Sequence, residues 1–351
     1  MLDEILGLIY MSKYAGMRND LAQAGGGNTS VKINDEDMLI KSSGFQLADI
    51  KKDLGYSTVK YRIIVEELKK LIDNGLEFTE DYGEELLGNT MIKGGRASIE
   101  TFLHAITGKY TLHSHPLVVG ICLSSEEGKQ MLKEMYPEAV FIPYRKPGVA
   151  LAEEYFKKML KREDYNPIIF LENHGLVVSA DSAEEAVDCT EKIVNQIAER
   201  IGFDIKAYQN STKIFNVIRM IPGLSDKIVV LADNRNYALA KALIKDHLWN
   251  HRFCPDCVVY CGNEVLYLND DFNQNDIRSF MENEGNPVIL FYKDEIFFVC
   301  DSVKKAADIS RVFSFATDIQ VANKDNTMVY FAKKDVMDLL NWKSEKYRQK
   351  M

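Results

Sequence analysis

Positive charge is scarce in this sequence: 43 Lys and Arg stand against 52 Asp and Glu, a net charge of -9. A protein that grips nucleic-acid backbone needs a basic face to displace counterions, so this balance argues against a nucleic-acid partner and leaves room only for a local basic pocket. Long apolar runs are missing as well. None approaches the roughly 20 residues that cross a bilayer, and the start, Met1-Leu2-Asp3-Glu4, lacks the basic stretch of a signal peptide. A soluble, cytoplasmic protein with no membrane partner is expected. The six cysteines, Cys122, Cys189, Cys254, Cys257, Cys261 and Cys300, are too few and too scattered for a disulfide framework and are expected as reduced thiols. Internal repeats and low-complexity tracts are absent too.

What is present is enough apolar material, 46% of 351 residues, for two cores. Residues 2 to 17 and 57 to 74 carry apolar positions at helical spacing, and Asn74-Gly75 ends the second run. Val31-Lys32-Ile33 and Met38-Leu39-Ile40 flank a polar turn and predict a β-hairpin. Further helices are expected from Ser98 to Gly108 and at 126–135, 150–162 and 182–201. Strands are expected at 109–115, 139–142, 167–171 and 176–178. Interleaved strands and helices of this kind make a layered α/β domain.

Periodicity weakens between 203 and 225, where Pro222-Gly223 appears, placing an α/β domain at 1–215 and a C-terminal α+β region at 225–351. In the latter, strands are expected at 228–231, 258–260, 288–292 and 296–299, with helices at 236–249, 302–316 and 334–348.

Chemistry gathers at Leu112-His113-Ser114-His115-Pro116. Alternate residues of a strand share a face about 6.6 Å apart, so both imidazoles can close on one ion. Spacing alone leaves open whether this is half a metal site or a strand that happens to hold two histidines. His174, in Glu172-Asn173-His174-Gly175 between two β-runs, is a candidate third ligand, and three His with one open position describe a catalytic metal site. Glu100 opens a helix thirteen residues before His113; it is a candidate ligand or general base, or an ordinary acid favoured by the helix dipole. The turns Gly25-Gly26-Gly27-Asn28-Thr29-Ser30 and Lys41-Ser42-Ser43-Gly44 offer amides, hydroxyls and a cation, the parts of a phosphate cradle, yet neither matches the P-loop or the dinucleotide fingerprint.

Taken together and in order, these pieces resemble the class II aldolase/adducin family. The matching blocks are Gly26-Gly27-Asn28-Thr29-Ser30, Lys41-Ser42-Ser43-Gly44-Phe45-Gln46-Leu47, Ser98-Ile99-Glu100-Thr101 with His104, His113-Ser114-His115-Pro116, Pro143-Tyr144-Arg145-Lys146-Pro147-Gly148 and Glu172-Asn173-His174-Gly175. Beyond residue 200 the resemblance is looser. It is most like the aldolase part of bifunctional rhamnulose-1-phosphate aldolase/short-chain dehydrogenase proteins, through Cys254-Pro255-Asp256-Cys257-Val258-Val259-Tyr260, the stretch from Lys304 to Phe315 and Glu345-Lys346-Tyr347-Arg348.

The resemblance implies an α/β/α layered fold around a mixed, largely antiparallel sheet, with a smaller C-terminal α+β region. It implies that His113, His115 and His174 bind Zn²⁺ or another divalent metal, that Glu100 is the catalytic base, and that Gly27, Asn28, Lys41, Ser43, Gly44 and Ser98 hold the substrate phosphate. Where aldolases for 1-phosphates often carry two adjacent serines before the glutamate, this chain has Ala97-Ser98-Ile99.

The implied reaction is cleavage of a ketose 1-phosphate, of the rhamnulose or fuculose type, into dihydroxyacetone phosphate and an aldehyde by a homo-oligomer, a tetramer in many relatives. A tyrosine such as Tyr260 would complete the site from a neighbouring subunit. Pentulose-5-phosphate 4-epimerases use the same scaffold but usually carry aspartate at the Glu100 position; dehydratases and non-catalytic adducin-like modules are further alternatives.

Lys41, read as part of a polar turn, is expected to meet an anion rather than form a Schiff base. Cys254, Cys257 and Cys261 are expected to be ordinary thiols, not a zinc knuckle. His247 and His251, four apart on an expected helix, are expected to be structural, and His104 to pack beside the site without ligating.

Overall fold

A computed structural model describes residues 1–159, 166–233 and 235–342. The chain divides into two compact units, Met1–Ile205 and Lys206–Met351. Among the described residues, no helix is long and apolar enough to cross a membrane.

The first unit is built on eight strands: β1 (Asn28–Lys32), β2 (Met38–Lys41), β3 (Tyr56–Val59), β4 (Met91–Lys93), β5 (Tyr110–Ser114), β6 (Val140–Ile142), β7 (Ile168–Leu171) and β8 (Gly175–Ala180). Their order is β4-β3-β2-β1-β5-β8-β7-β6, and only β6 and β7 run parallel. This is the mixed, largely antiparallel sheet of an α/β/α layered domain.

Alternation along the strands separates two cores. Met38, Ile40, Val140, Ile142, Ile169, Leu171 and Val177 pack on one face against Ile64, Leu68, Phe102, Leu103, Leu151 and Tyr155 from the helices Tyr61–Asp73, Thr101–Ala105 and Val149–Met159. Helices Leu2–Gly16 and Ala183–Ile201 pack together and against β1, β5 and β8.

Register then decides where the chemistry lies. Asn28 pairs with His113, and His113 with Val177, so all three point to the face that carries helix Thr101–Ala105. Glu100 is the N-cap of that helix. Antiparallel register thus aims Asn28, His113 and Glu100 at one another across 85 residues of chain.

Several local expectations give way. Residues 56–59 form a strand paired with β2, because Tyr56-Ser57-Thr58-Val59 alternates and Lys41 sits opposite Tyr56; the helix starts only at Tyr61. The helix expected from Ser98 to Gly108 shortens to Thr101–Ala105. Helix Glu80–Thr90 and β4 were not expected from the periodicity. The helix expected at 150–162 runs over Val149–Met159, its remainder lying outside the described residues.

The second unit holds β9 (Ile228–Leu231), β10 (Val265–Tyr267), β11 (Ile289–Tyr292) and β12 (Glu295–Cys300) in the order β10-β11-β12-β9, with β10 and β11 parallel. It opens with helix Lys206–Ile218, in the stretch where weakened periodicity placed the domain boundary; buried Ile214, Phe215 and Ile218 supply its apolar face. Val258-Val259-Tyr260 is helical, not extended: Pro255 takes a first-turn position, and the Cys254 sulfur accepts the Cys257 N–H as a cap.

Helix Tyr237–Lys245 ends before His247, whose φ is 56°, so His247 and His251 share no helix face; the His251 ring stacks on Trp249 instead. The helix expected at 334–348 is seen over Lys333–Asn341, and Glu345-Lys346-Tyr347-Arg348 lies outside the described residues.

Candidate active site

Three imidazoles meet at the end of β5. Ring centres lie 5.0 Å apart for His113 and His115, 4.8 Å for His113 and His174, and 4.9 Å for His115 and His174. One ligand atom from each falls within 4.8 Å of the others, close enough to share an ion. Each ring is placed by backbone. His113 pairs within β5, while the N–H of His115 donates to Leu21 O at 2.7 Å. His174 ends the tight β7–β8 connection, its N–H donating to Leu171 O at 3.1 Å, with Asn173 taking a φ of 53° that Asn tolerates better than most residues.

Two glycines make room for this. A Cβ on Gly26 would lie 2.7 Å from His115 Nδ1, and one on Gly175 would lie 2.3 Å from Ser114 O.

The donors fit a divalent cation. His113 Nε2 and His115 Nε2 are buried and have no hydrogen-bond partner among the described residues, an arrangement that costs free energy unless something occupies the space between them. Burial, with His113 and His174 as neighbours, pushes His115 down to about 3, so it stays neutral, the form that ligates metal.

Glu100 Oε1 lies 3.2 Å from His113 Nδ1 and 3.4 Å from His174 Nε2. Asn28 Nδ2 donates to its Oε2 at 3.4 Å. Burial works against the Glu100 charge, but the two histidines outweigh it and hold the carboxyl well below the usual range.

A cavity of about 340 Å³ opens beside this cluster, lined by Gly25–Gly27, Lys41, Ser43, Gly44, Ser98, Glu100 and His115 among others. Its walls are two chain segments pinned together. Ser43 N–H donates to Arg96 O and Ser98 N–H to Lys41 O, with Ser42 bridging Ala97. The ten residues singled out in the sequence therefore occur together: seven line the cavity, and Asn28, His113 and His174 reach Glu100.

One placement differs from expectation. Lys41 is not in a polar turn; it is the last residue of β2, 4% exposed, and burial lowers its pKa while Glu100 opposes the shift. The polar surroundings assumed for it are thus no reason to set aside an imine role. His104 is fully buried against Ser30 Oγ at 2.7 Å, its ring 6.4 Å from that of His113.

Sequence reasoning missed the support behind His115. Arg18 is fully buried and grips both oxygens of Asp20, at 3.0 and 2.6 Å, and Glu191 at 2.5 Å. Asp20 O and Leu21 O accept the N–H groups of Leu117 and His115, so this ion cluster anchors the loop that aims His115. Nothing in the local pattern signals it, because Glu191 lies 173 residues away from Arg18.

Replacing Gly26 by Ala is expected to push the His115 ring aside. Zinc affinity, read by titration of the full chain, should fall roughly tenfold, the low end of what disturbing a ligand's orientation costs.

A three-histidine cluster close enough to share an ion, with a buried carboxylate beside it, is mounted on a largely antiparallel sheet between helical layers. The model for the Class II Aldolase and Adducin N-terminal domain matches residues 7–199, more than half of the chain, and the chain belongs to that family.

Among curated proteins, the chain is 29% identical over 233 residues to the uncharacterized oxidoreductase YuxG of Bacillus subtilis (strain 168). The match covers 63% of this chain and 32% of that protein, so the chain spans about a third of its relative's length. Among solved structures, it is similar to the N-terminal class II aldolase domain of a conserved protein from Thermoplasma acidophilum, with 27% identity, 56% of this chain and 92% of that one covered, and a TM-score of 0.49. An L-fuculose 1-phosphate aldolase matches at 19% identity over 62% of this chain and 97% of that one, with a TM-score of 0.39.

Proposed function

We propose that the chain is a divalent-metal-dependent aldolase that cleaves a ketose 1-phosphate, of the rhamnulose or fuculose type, into dihydroxyacetone phosphate and an aldehyde. The observation that carries this reading is the Glu100 carboxylate, 3.2 and 3.4 Å from nitrogens of two of the three clustered histidines and facing a cavity with a buried lysine. His113, His115 and His174 hold the metal, and a bound Zn²⁺ supplies Lewis acidity toward the carbonyl end of the ketose.

The chain's own groups do the rest. Lys41, Ser43, Gly44 and Ser98, with the amides of the Gly25–Gly27 loop, bind the phosphate and fix which carbon lies beside Glu100. Glu100, held ionised, takes the hydroxyl proton as the C3–C4 bond breaks, and a proton is returned to the three-carbon fragment. Asn28, hydrogen-bonded to Glu100, fixes its orientation.

The B. subtilis relative carries an oxidoreductase name and is about three times as long as the matched stretch. That fits an aldolase portion beside a dehydrogenase in longer proteins of this kind. A homo-oligomer is part of the same reading.

The test is a retro-aldol screen over ketose 1-phosphates, with dihydroxyacetone phosphate read by a coupled assay. Cleavage that chelator abolishes and added zinc restores is expected. Release that survives chelation and leaves a borohydride-trapped adduct on Lys41 would replace this mechanism with an imine one. Isomerised pentulose phosphate without cleavage would move the reading to the epimerase, and inertness with no bound metal to an adducin-like module.

A further inference from the structure

The second unit contains a pair of thiols that the aldolase reading does not use. Cys254 caps helix Pro255–Cys261, its sulfur accepting the Cys257 N–H at 3.3 Å, and the two sulfurs lie 2.8 Å apart as free thiols. The pair has asymmetric access. Cys254 is half-buried beside exposed Pro255 and Asp256, whereas Cys257 is fully buried.

Burial, together with neighbouring Cys254, pushes the Cys257 thiol far up, so it does not meet outside reagents as a thiolate. A zinc knuckle does not explain the arrangement. Among the described residues, the group of three ligating side chains close enough to share an ion is the histidine cluster, and Cys261 forms no such group with the pair.

We propose that Cys254 and Cys257 form an exchange site for low-molecular-weight disulfides, with Cys254 as the entering sulfur and Cys257 as the resolving one. In the first step, the Cys254 thiolate attacks one sulfur of a disulfide RSSR. A Cys254–S–S–R mixed disulfide forms, and one thiol RSH leaves after protonation. In the second, Cys257, 2.8 Å from the Cys254 sulfur in the free pair, attacks that sulfur as its proton passes to the departing sulfur of R, closing the intramolecular disulfide and releasing the second RSH. The protein loses two hydrogens and RSSR gains them. The spacing, two residues across the first turn of a helix, lets the sulfurs meet without moving the backbone that carries them.

The experiment treats the full chain with oxidised glutathione and follows intact mass and peptide mapping. Expected is loss of two hydrogens located to the peptide spanning Cys254 and Cys257, reversed by dithiothreitol, with Cys122 and Cys189 unchanged. Cys257→Ser should arrest at a stable glutathione adduct on Cys254. Cys254→Ser, whose hydroxyl preserves the helix cap, should leave Cys257 a free thiol. A wild-type protein that stops at the glutathione adduct, closes a different pair or does not react at all overturns the proposal.

Discussion

Alanine in place of His113 is expected to lower zinc affinity by more than about 10²-fold and to take chelator-sensitive cleavage to background. Disturbing a partner that merely orients a metal-bound histidine already costs 10–100-fold, so removing a ligand sets that range as the floor. His113 cannot be replaced by a neighbour moving in. It is wholly buried on β5, between β1 and β8, with Asn28 and Val177 as its register partners, and no shift of that strand is possible without breaking both ladders. His104, the nearest further imidazole, is 6.4 Å away by ring centre and committed to Ser30. The fold should survive, because alanine keeps both ladder pairings of β5 and removes a buried Nε2 that lacks a hydrogen-bond partner. Metal content after dialysis, thermal midpoint and the coupled assay separate the outcomes. Undiminished zinc content in His113→Ala would remove the histidine cluster from the mechanism.

The legibility of this site in the sequence followed from how local its parts are. His113 lies on β5 with His115 just past its end, and Gly26-Gly27-Asn28 and Ser43-Gly44 are short contiguous blocks; spacing alone left them open, and their order beside Glu100 and His174 marked them through the family resemblance. The layered fold was legible for the same reason, since strands such as Ile168–Leu171 and helices such as Ala183–Ile201 keep their periods. What the sequence hid depends on distant partners.

Tyr56–Val59 looked helical because Val59, Ile63 and Ile64 continue the next helix's stripe, until pairing with β2 claims it. Lys41 looked solvated beside two serines, yet the segment around Ala97 and Ser98 closes over it. Val258-Val259-Tyr260 has a strand's composition but a helix's start, set by the Cys254 cap and Pro255. The Arg18 cluster needed Glu191, which only the packing of helices Leu2–Gly16 and Ala183–Ile201 brings near.

Gln in place of Glu100 is expected to cost turnover while sparing the metal. Proton transfer by a positioned side chain is worth about 10²–10⁴-fold, which is about 2.7–5.4 kcal/mol at the transition state, and Gln keeps the shape while losing the basicity. Shape matters because both Glu100 oxygens are engaged: Oε2 accepts from Asn28, Oε1 faces His113 and His174, and the residue is 9% exposed. The Gln carbonyl can keep the Asn28 contact, and its amide can occupy the Oε1 position facing His113 and His174, so the three histidines stay in place.

Zinc affinity should change by less than about tenfold, set against the His113→Ala loss. That contrast distinguishes the base from a fourth ligand, since removing a ligand would lower both quantities together. Solvent deuterium sharpens the distinction: wild-type enzyme should exchange a C3 hydron of dihydroxyacetone phosphate, and Glu100→Gln should lose exchange and cleavage in parallel. Exchange that persists while cleavage falls would assign the proton to another group lining the cavity and leave Glu100 as a positioning residue.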